Sequence, residues 1–332
     1  MEIVTASAPG KIILFGEHSV VHRMPAIAIA VNKQTTVTID QNESLTENEI
    51  FFNATDYHRS YKISTENLQH DSLTPINQFF LPFCVIIREI LSKNNFTIPY
   101  GARITISSNI PKGAGMGSSA SVSVALAKAF TEFLGSSVSN DEISSLAYRG
   151  EQIIHGTPSG IDNSVCTFGG GILFENGNIT KIPIPDISII VGDTGKPRQT
   201  KKLVEKVGFL NKKWDFYKEI ITAIGSLVRE SIPLLENGDG VGLGELCSIN
   251  HGLLEALGVS SPELNHLVEA AQAAGAWGAK LTGGGGGGCM IALTSDNRVK
   301  DVKNAIINAG GHPYQMKFAQ KGVSIQKSEK EN

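Results

Sequence analysis

The sequence predicts an α+β protein of two domains: a mixed α/β domain over residues 1–184, then a split-βαβ, ferredoxin-like domain with inserted helices over residues 185–332. Three observations predict this class. Residues 102–106 (ARITI) read as a strand that feeds a glycine-rich loop, PKGAGMGSSA, and then an Ala-rich apolar run long enough for about four helical turns. Pro183 and Pro185 break the pattern near mid-chain, and it restarts as strand, helices, two strands, helix, strand. A chain of 332 residues with 41% hydrophobic content can fill two cores.

The first domain opens with residues 2–8 and 12–15, apolar or β-branched around Pro9-Gly10-Lys11, which predicts strand, break, strand with Lys11 at the junction. Gly16-Glu17-His18 follows. A Lys, a Glu and a His within eight residues make a polar cluster where a core strand would place aliphatics, although surface ion pairing explains the same residues. Residues 26–40 are extended and then alternate, and 50–52 with 61–63 suggest a hairpin whose loop carries His58 and Arg59. A core-facing helix is expected over 75–92, opening at Pro75, with Pro82 kinking its start. Asn140-Asp141-Glu142 begins a helix that runs to about His155, with Glu151 near its last turn and His155 as a structural helix-end residue. The breaker-rich segment HGTPSGIDNSVCTFGGG embeds Asp162, which is either a functional acid or an Asx-turn residue. Strands at 172–174 and 179–182 close the domain.

The second domain reads as strand 187–191, helices near 199–208, 211–235, 239–257 and 262–274, strand 277–282, strand 289–293, helix 297–308 and strand 314–318. Gly283 to Gly288 fall between its two middle strands. Such a run is commonly a linker, but linker flexibility between paired strands would cost the sheet, so a hairpin turn facing a ligand is the better reading. The last ten or so residues read as a frayed tail.

A net charge of −3 with no run of like charges leaves no footprint for nucleic acid or an anionic membrane, so the partner is expected to be a small molecule. Cys84, Cys166, Cys247 and Cys289 form no Cys-x-x-Cys pair; they argue against zinc or disulfides and for core positions in a reducing compartment. No leader pattern and no 18-residue apolar stretch is visible, so a cytoplasmic protein is expected.

The chemistry concentrates in the loop. Gly113, Gly115 and Gly117 alternate, so the backbone from Lys112 through Ala114 and Met116 to Ser118 and Ser119 can turn its N–H groups together toward one anion. A helix beginning at Ser118 adds a positive dipole end to that cradle. A flexible loop before a buried helix is the plainer alternative.

Three blocks, APGKIILFGEH (8–18), PKGAGMGSSA (111–120) and KLTGGGGGGC (280–289), together resemble the three signature motifs of the galactokinase, homoserine kinase, mevalonate kinase and phosphomevalonate kinase (GHMP) superfamily, in the same order. EQIIHGTPSGIDN (151–163), GEHSVVH (16–22) and Pro197 to Thr200 resemble its mevalonate kinase branch. The resemblance implies the GHMP kinase fold and phosphoryl transfer from ATP to the C5 hydroxyl of mevalonate, with Mg²⁺ as cofactor and a homodimer as a common assembly. By resemblance Asp162 is the catalytic base and Lys11 its partner, while Ser119 and Glu151 hold the metal. His18 and Glu17 correspond to substrate-side residues, as do Arg198 and Thr200, and Gly284 and Gly285 approach the phosphates or substrate. The chain departs from the family pattern at Met116, where Leu is usual, and at Gly284, where Ala is usual. Another kinase of the superfamily would change the segment around Asp162, and a non-catalytic sensor on the same scaffold would have lost Lys11, Glu151 or Asp162; all three are present. A dinucleotide-binding oxidoreductase would need Gly-x-Gly-x-x-Gly after the first strand, and neither glycine block has that setting.

Overall fold

A computed structural model describes residues 2–42, 44–69, 77–94, 98, 101–111, 113–156 and 158–329. In the first half the elements are β1 (Glu2–Phe15), β2 (Ala26–Gln41), β3 (Glu49–Ala54), β4 (Arg59–Ser64), α1 (Thr65–Gln69), α2 (Leu81–Asn94), β5 (Ala102–Ser108), α3 (Ser118–Phe133), α4 (Asn140–His155), α5 (Ile161–Phe168), β6 (Gly171–Glu175) and β7 (Asn178–Ile182). The second half has β8 (Ser188–Asp193), α6 (Thr200–Lys213), α7 (Asp215–Asn237), α8 (Gly240–Ala256), α9 (Pro262–Ala273), β9 (Gly278–Thr282), β10 (Cys289–Thr294), α10 (Val299–Asn308), β11 (His312–Met316) and β12 (Ser324–Glu329).

Two sheets carry the molecule. Among the described residues the larger has eight strands in the order β12-β1-β2-β5-β3-β4, with β6 also on β2 and β7 on β6, and only β3 and β5 pair in parallel. The smaller has the order β11-β8-β10-β9, all antiparallel, which with α6–α9 and α10 as connections is the expected split βαβ. The helices of the first half cover the large sheet: α3 buries Val124, Leu126 and Phe130 in one core with Val4, Val37 and Ile104 of the strands. A second core joins the halves, because Ile12 and Leu14 of β1 and Ile27 and Ile29 of β2 pack with Val191 of β8, Val228 of α7 and Ile291 of β10. The two sheets therefore share buried side chains. Among the described residues no helix is long and apolar enough to cross a membrane.

Several expectations change in detail. The break at Pro9-Gly10 is a register shift inside one continuous strand, where Pro9 pairs with Gln34 but Gly10 pairs with Val31. The helix expected from 75 begins at Leu81, with Pro82 in the first turn, where no intrahelical N–H is needed, so the proline opens the helix without kinking it; Pro75 and Ile76 lie outside the described residues. The breaker-rich segment contains a helix, α5, set between left-handed Gly160 and positive-φ Gly169 and too short to show a periodic pattern. The expected tail is largely a strand: β12 pairs antiparallel with β1 from Ser324 against Ser7 to Glu329 against Glu2. Of its six residues only Ile325 is apolar, so it carries no local strand pattern, which is why composition reads it as frayed.

Candidate active site

β5 delivers the chain to the glycine loop and α3 receives it. Gly113, Gly115 and Gly117 have φ of 76°, 77° and 67°, a region that side chains with a Cβ avoid, so the alternating glycines are what let the loop fold back on itself. Gly117 is the N-cap of α3 and no side chain caps this end. The first N–H groups of α3 therefore keep their capacity to bind an anion. Ala114 and Met116 are buried and anchor the loop, so they offer backbone rather than side chain; Lys112 lies outside the described residues. The bulge in β1 is fitted to this loop. The Met116 carbonyl accepts the Lys11 N–H at 2.9 Å and stands 2.8 Å from where a Gly10 Cβ would be, so a side chain at position 10 would lift the loop off the strand.

Lys11 and Asp162 meet at this point, with Nζ 2.9 Å from Oδ1 and side-chain exposures of 7% and 35%. The stem of Lys11 runs along Gly117, where an added Cβ would fall 2.9 Å from its Cγ. Asp162 is in the first turn of α5, at the positive end of that helix's dipole. This is a helical carboxylate facing a buried ammonium, and the Asx-turn alternative does not describe it.

Ser119 and Glu151 also come together: the Ser119 hydroxyl donates to Glu151 Oε2 at 3.2 Å, across the packed pair α3 and α4. Glu151 Oε1 is buried and has no hydrogen-bond partner. Burial, with the Asp162 charge second, pushes the Glu151 carboxyl up to about 7, while the Ser119 bond and Lys11 oppose the shift. His155 Nε2 stands 3.6 Å from Glu151 Oε2, and burial lowers its pKa, so it adds little positive charge near neutral pH. A hydroxyl beside a desolvated carboxylate with one orphaned oxygen fits a small hard cation that keeps other positions for phosphate and water. No group of three or more His, Cys, Asp or Glu suited to a metal occurs among the described residues, so protein side chains alone do not make a full cage.

The glycine run closes the cleft from the other half. Gly283, Gly285, Gly286, Gly287 and Gly288 all have positive φ, and Thr282 pairs with Cys289 across the turn, so the run is a hairpin and not a linker. The segment before α6 is bound to it: the Thr194 N–H donates to the Gly288 carbonyl and the Gly288 N–H to the Lys196 carbonyl, both at 2.9 Å. Arg198 is thereby laid between two glycine blocks. Added Cβ atoms would lie 2.2 Å from its guanidinium at Gly115 and 2.4 Å from its Cγ at Gly288. Thr200 fills the space beside Gly284, where a Cβ would fall 2.2 Å from its hydroxyl. Across the same glycine the His18 Nε2–H donates to the Gly284 carbonyl at 3.0 Å. Burial lowers the His18 pKa, which keeps the ring neutral.

Glu17 is placed differently from the expectation. Its carboxylate is fully buried in an ion pair with Lys280 of β9 and also accepts from Asn250 Nδ2 of α8 at 3.3 Å. Burial raises its pKa, opposed by Lys280. A substrate would have to open this pair to reach it, so Glu17 is corrected from a contact residue to a buried one. Lys280 and Asn250 were missed by sequence reasoning; the available signal was a lysine inside the otherwise apolar strand leading into the glycine run.

Comparison with known proteins places the chain in a family. The model described as GHMP kinases N terminal domain matches residues 83–171, and that described as GHMP kinases C terminal matches residues 231–312. The chain belongs to the GHMP kinases, and it is an enzyme of that class. It is 39% identical to the mevalonate kinase of Thermococcus gammatolerans, over 97% of this chain and 98% of that one, and 38% identical to the mevalonate kinase of Pyrococcus furiosus with the same coverage. Within the class it therefore belongs to the mevalonate kinase family. The crystal structure of Methanococcus jannaschii mevalonate kinase superposes with a TM-score of 0.85 at 29% identity, over 95% of this chain and 98% of that one. L. major mevalonate kinase in complex with R-mevalonate gives 0.79 at 26% identity, over 94% of each.

Proposed function

We propose that this chain transfers the γ-phosphoryl group of ATP to the C5 hydroxyl of mevalonate, giving 5-phosphomevalonate and ADP. The observation that carries the reading is the Lys11–Asp162 pair, held at 2.9 Å against Gly117 of the phosphate loop, in a chain similar to mevalonate kinases from end to end. Asp162 takes the proton of the C5 hydroxyl as its oxygen bonds to the γ-phosphorus, and the bond from that phosphorus to the β,γ-bridging oxygen breaks to release ADP. The Lys11 ammonium stabilises the oxygen's developing charge and orients the carboxylate. The backbone of Gly113 to Ser119 carries the phosphates. Ser119 and Glu151 are the residues that would hold Mg²⁺, which when bound neutralises phosphate charge.

His18, Thr200, Gly284 and Gly285 form the proposed substrate side. Arg198 lies on Gly115, so the anion most directly within its reach is a phosphate on the loop, and the carboxylate of mevalonate is the second it can serve. The four cysteines are free and buried, which supports a reducing, cytoplasmic location. A coupled assay of ADP release should give turnover with mevalonate and little with phosphomevalonate, galactose or homoserine. Faster turnover on any of the other three would replace the proposed substrate. Glu151→Gln should raise the Mg²⁺ concentration needed for half-maximal rate, and an unchanged requirement would remove Glu151 from the metal.

A further inference from the structure

We infer that Glu17 and Lys280 are positioning residues whose buried ion pair sets the relation between the first strand motif and the glycine turn, and so holds His18 for its substrate. The inference rests on the reading of His18 as a substrate-side residue. Both charged side chains are 0% exposed, and Glu17 takes a further hydrogen bond from Asn250. A buried pair of this kind stabilises weakly, because desolvation offsets much of the attraction, and apolar replacement of both partners is commonly neutral or favourable. Stability therefore does not explain it.

Its location does. Glu17 stands between two residues with unusual backbone. Gly16 has φ 99° and a Cβ there would lie 2.6 Å from Ala26 and Pro25, while His18 has φ 59°, which a histidine adopts only when its surroundings compel it. On the other side, Lys280 precedes Thr282 and the glycine run. Three ties thus join β1 and the turn after it to β9 and its hairpin: Glu17 to Lys280, the Thr282 hydroxyl to the Ile13 carbonyl at 2.8 Å, and His18 Nε2 to the Gly284 carbonyl at 3.0 Å. The first is the only charged tie of the three and has no exposure to solvent, so water and salt do not loosen it. Without it, the strained turn at His18 would relax and the His18–Gly284 bond would lengthen.

The test uses the double variant Glu17→Met with Lys280→Met, and Glu17→Asp, which keeps the charge but shortens the reach by one methylene. Thermal melting reports folding. Steady-state kinetics give KM for mevalonate and ATP separately, and ¹⁵N imidazole NMR reports the His18 tautomer, its signal identified by loss in His18→Gln. The expected result is a folded double variant whose kcat/KM for mevalonate falls by about 10²-fold, the size of loss a 1 Å misplacement produces, while KM for ATP stays near wild type. His18 should change from a single Nε2–H form to a mixture of tautomers. Glu17→Asp should show the same changes to a smaller degree, and it decides the matter if the double variant does not fold. Wild-type kinetics on mevalonate and an unchanged His18 spectrum in a folded variant would overturn the inference. An inactive wild-type chain would instead sink the proposed substrate, and the His18 spectrum would still test the positioning.

Discussion

Asp162 and Lys11 are remote in sequence and adjacent in space, and each is meaningful only through the other. The Lys11 ammonium stands 2.9 Å from the Asp162 carboxylate, which sits in the first turn of α5. Asp162→Asn keeps the shape and removes the charge, so both substrates should bind within several-fold while kcat falls by about 10² to 10⁴. An Asp162→Asn enzyme with near wild-type kcat would remove the base from the mechanism. Because the two residues act as a unit, adding Lys11→Met to Asp162→Asn should cost far less than the product of the single effects. His251 offers a pH prediction of another kind. Its Nδ1 accepts the Leu281 N–H at 3.3 Å inside the second half, and burial, with the Lys280 charge second, lowers its pKa to about 4. Protonation would take away that acceptor. A depressed histidine gives stability that is present above its ordinary value of 6.5 and lost as pH falls toward 4. Denaturant unfolding of the wild type should accordingly lose up to about 3 kcal/mol more across that window than His251→Gln does. Parallel pH profiles for the two proteins would contradict the assignment.

At the scale of elements, the glycine loop separates two effects that sequence alone merges. Gly113 and Gly115 have nearly the same φ, yet a Cβ at Gly113 meets nothing within 4 Å, whereas one at Gly115 meets the Arg198 guanidinium at 2.2 Å. Gly113→Ala should therefore bear backbone strain alone, about 1 kcal/mol, and keep kcat/KM for ATP within a few-fold. Gly115→Ala bears the same strain and also displaces Arg198, whose stem is fixed against Gly288, so its kcat/KM for ATP should fall by more than about tenfold. Equal losses would mean that Arg198 does not serve the loop. The order strand, loop, helix was legible here because alternating glycines followed by an apolar run have few other solutions. The helix carrying Asp162 was not, since its eight residues are bounded by glycines and show no period.

For the whole molecule, the last strand ties the chain's end to its beginning. β12 covers the outer edge of β1 through six register pairs, and Val323 and Ile325 pack against the first core. A chain ending at Gly322 would leave β1 as an exposed edge, melt lower by on the order of 5 °C and aggregate more readily. Differential scanning calorimetry and light scattering would check this, and an unchanged melting temperature would show that the strand contributes nothing to the fold. The shared core of Ile12, Leu14, Val191 and Ile291 makes the two halves one packed body on either side of the cleft.

By itself the sequence indicated most of the elements, though not α5 or β12, together with the second sheet's topology and the glycine loop ahead of α3, because these depend on local periodicity and on glycine's freedom at positive φ. Through motifs whose residues lie on separate elements it also singled out Lys11, Asp162, Ser119 and Glu151, which the fold brings together in two pairs. Only the tertiary structure decided that Glu17 is buried against Lys280, that Arg198 rests on Gly115, and that the polar final residues complete the first sheet. Each of these is a contact between remote segments, and a lone charge or a polar strand carries no local mark of the partner that will desolvate or pair with it.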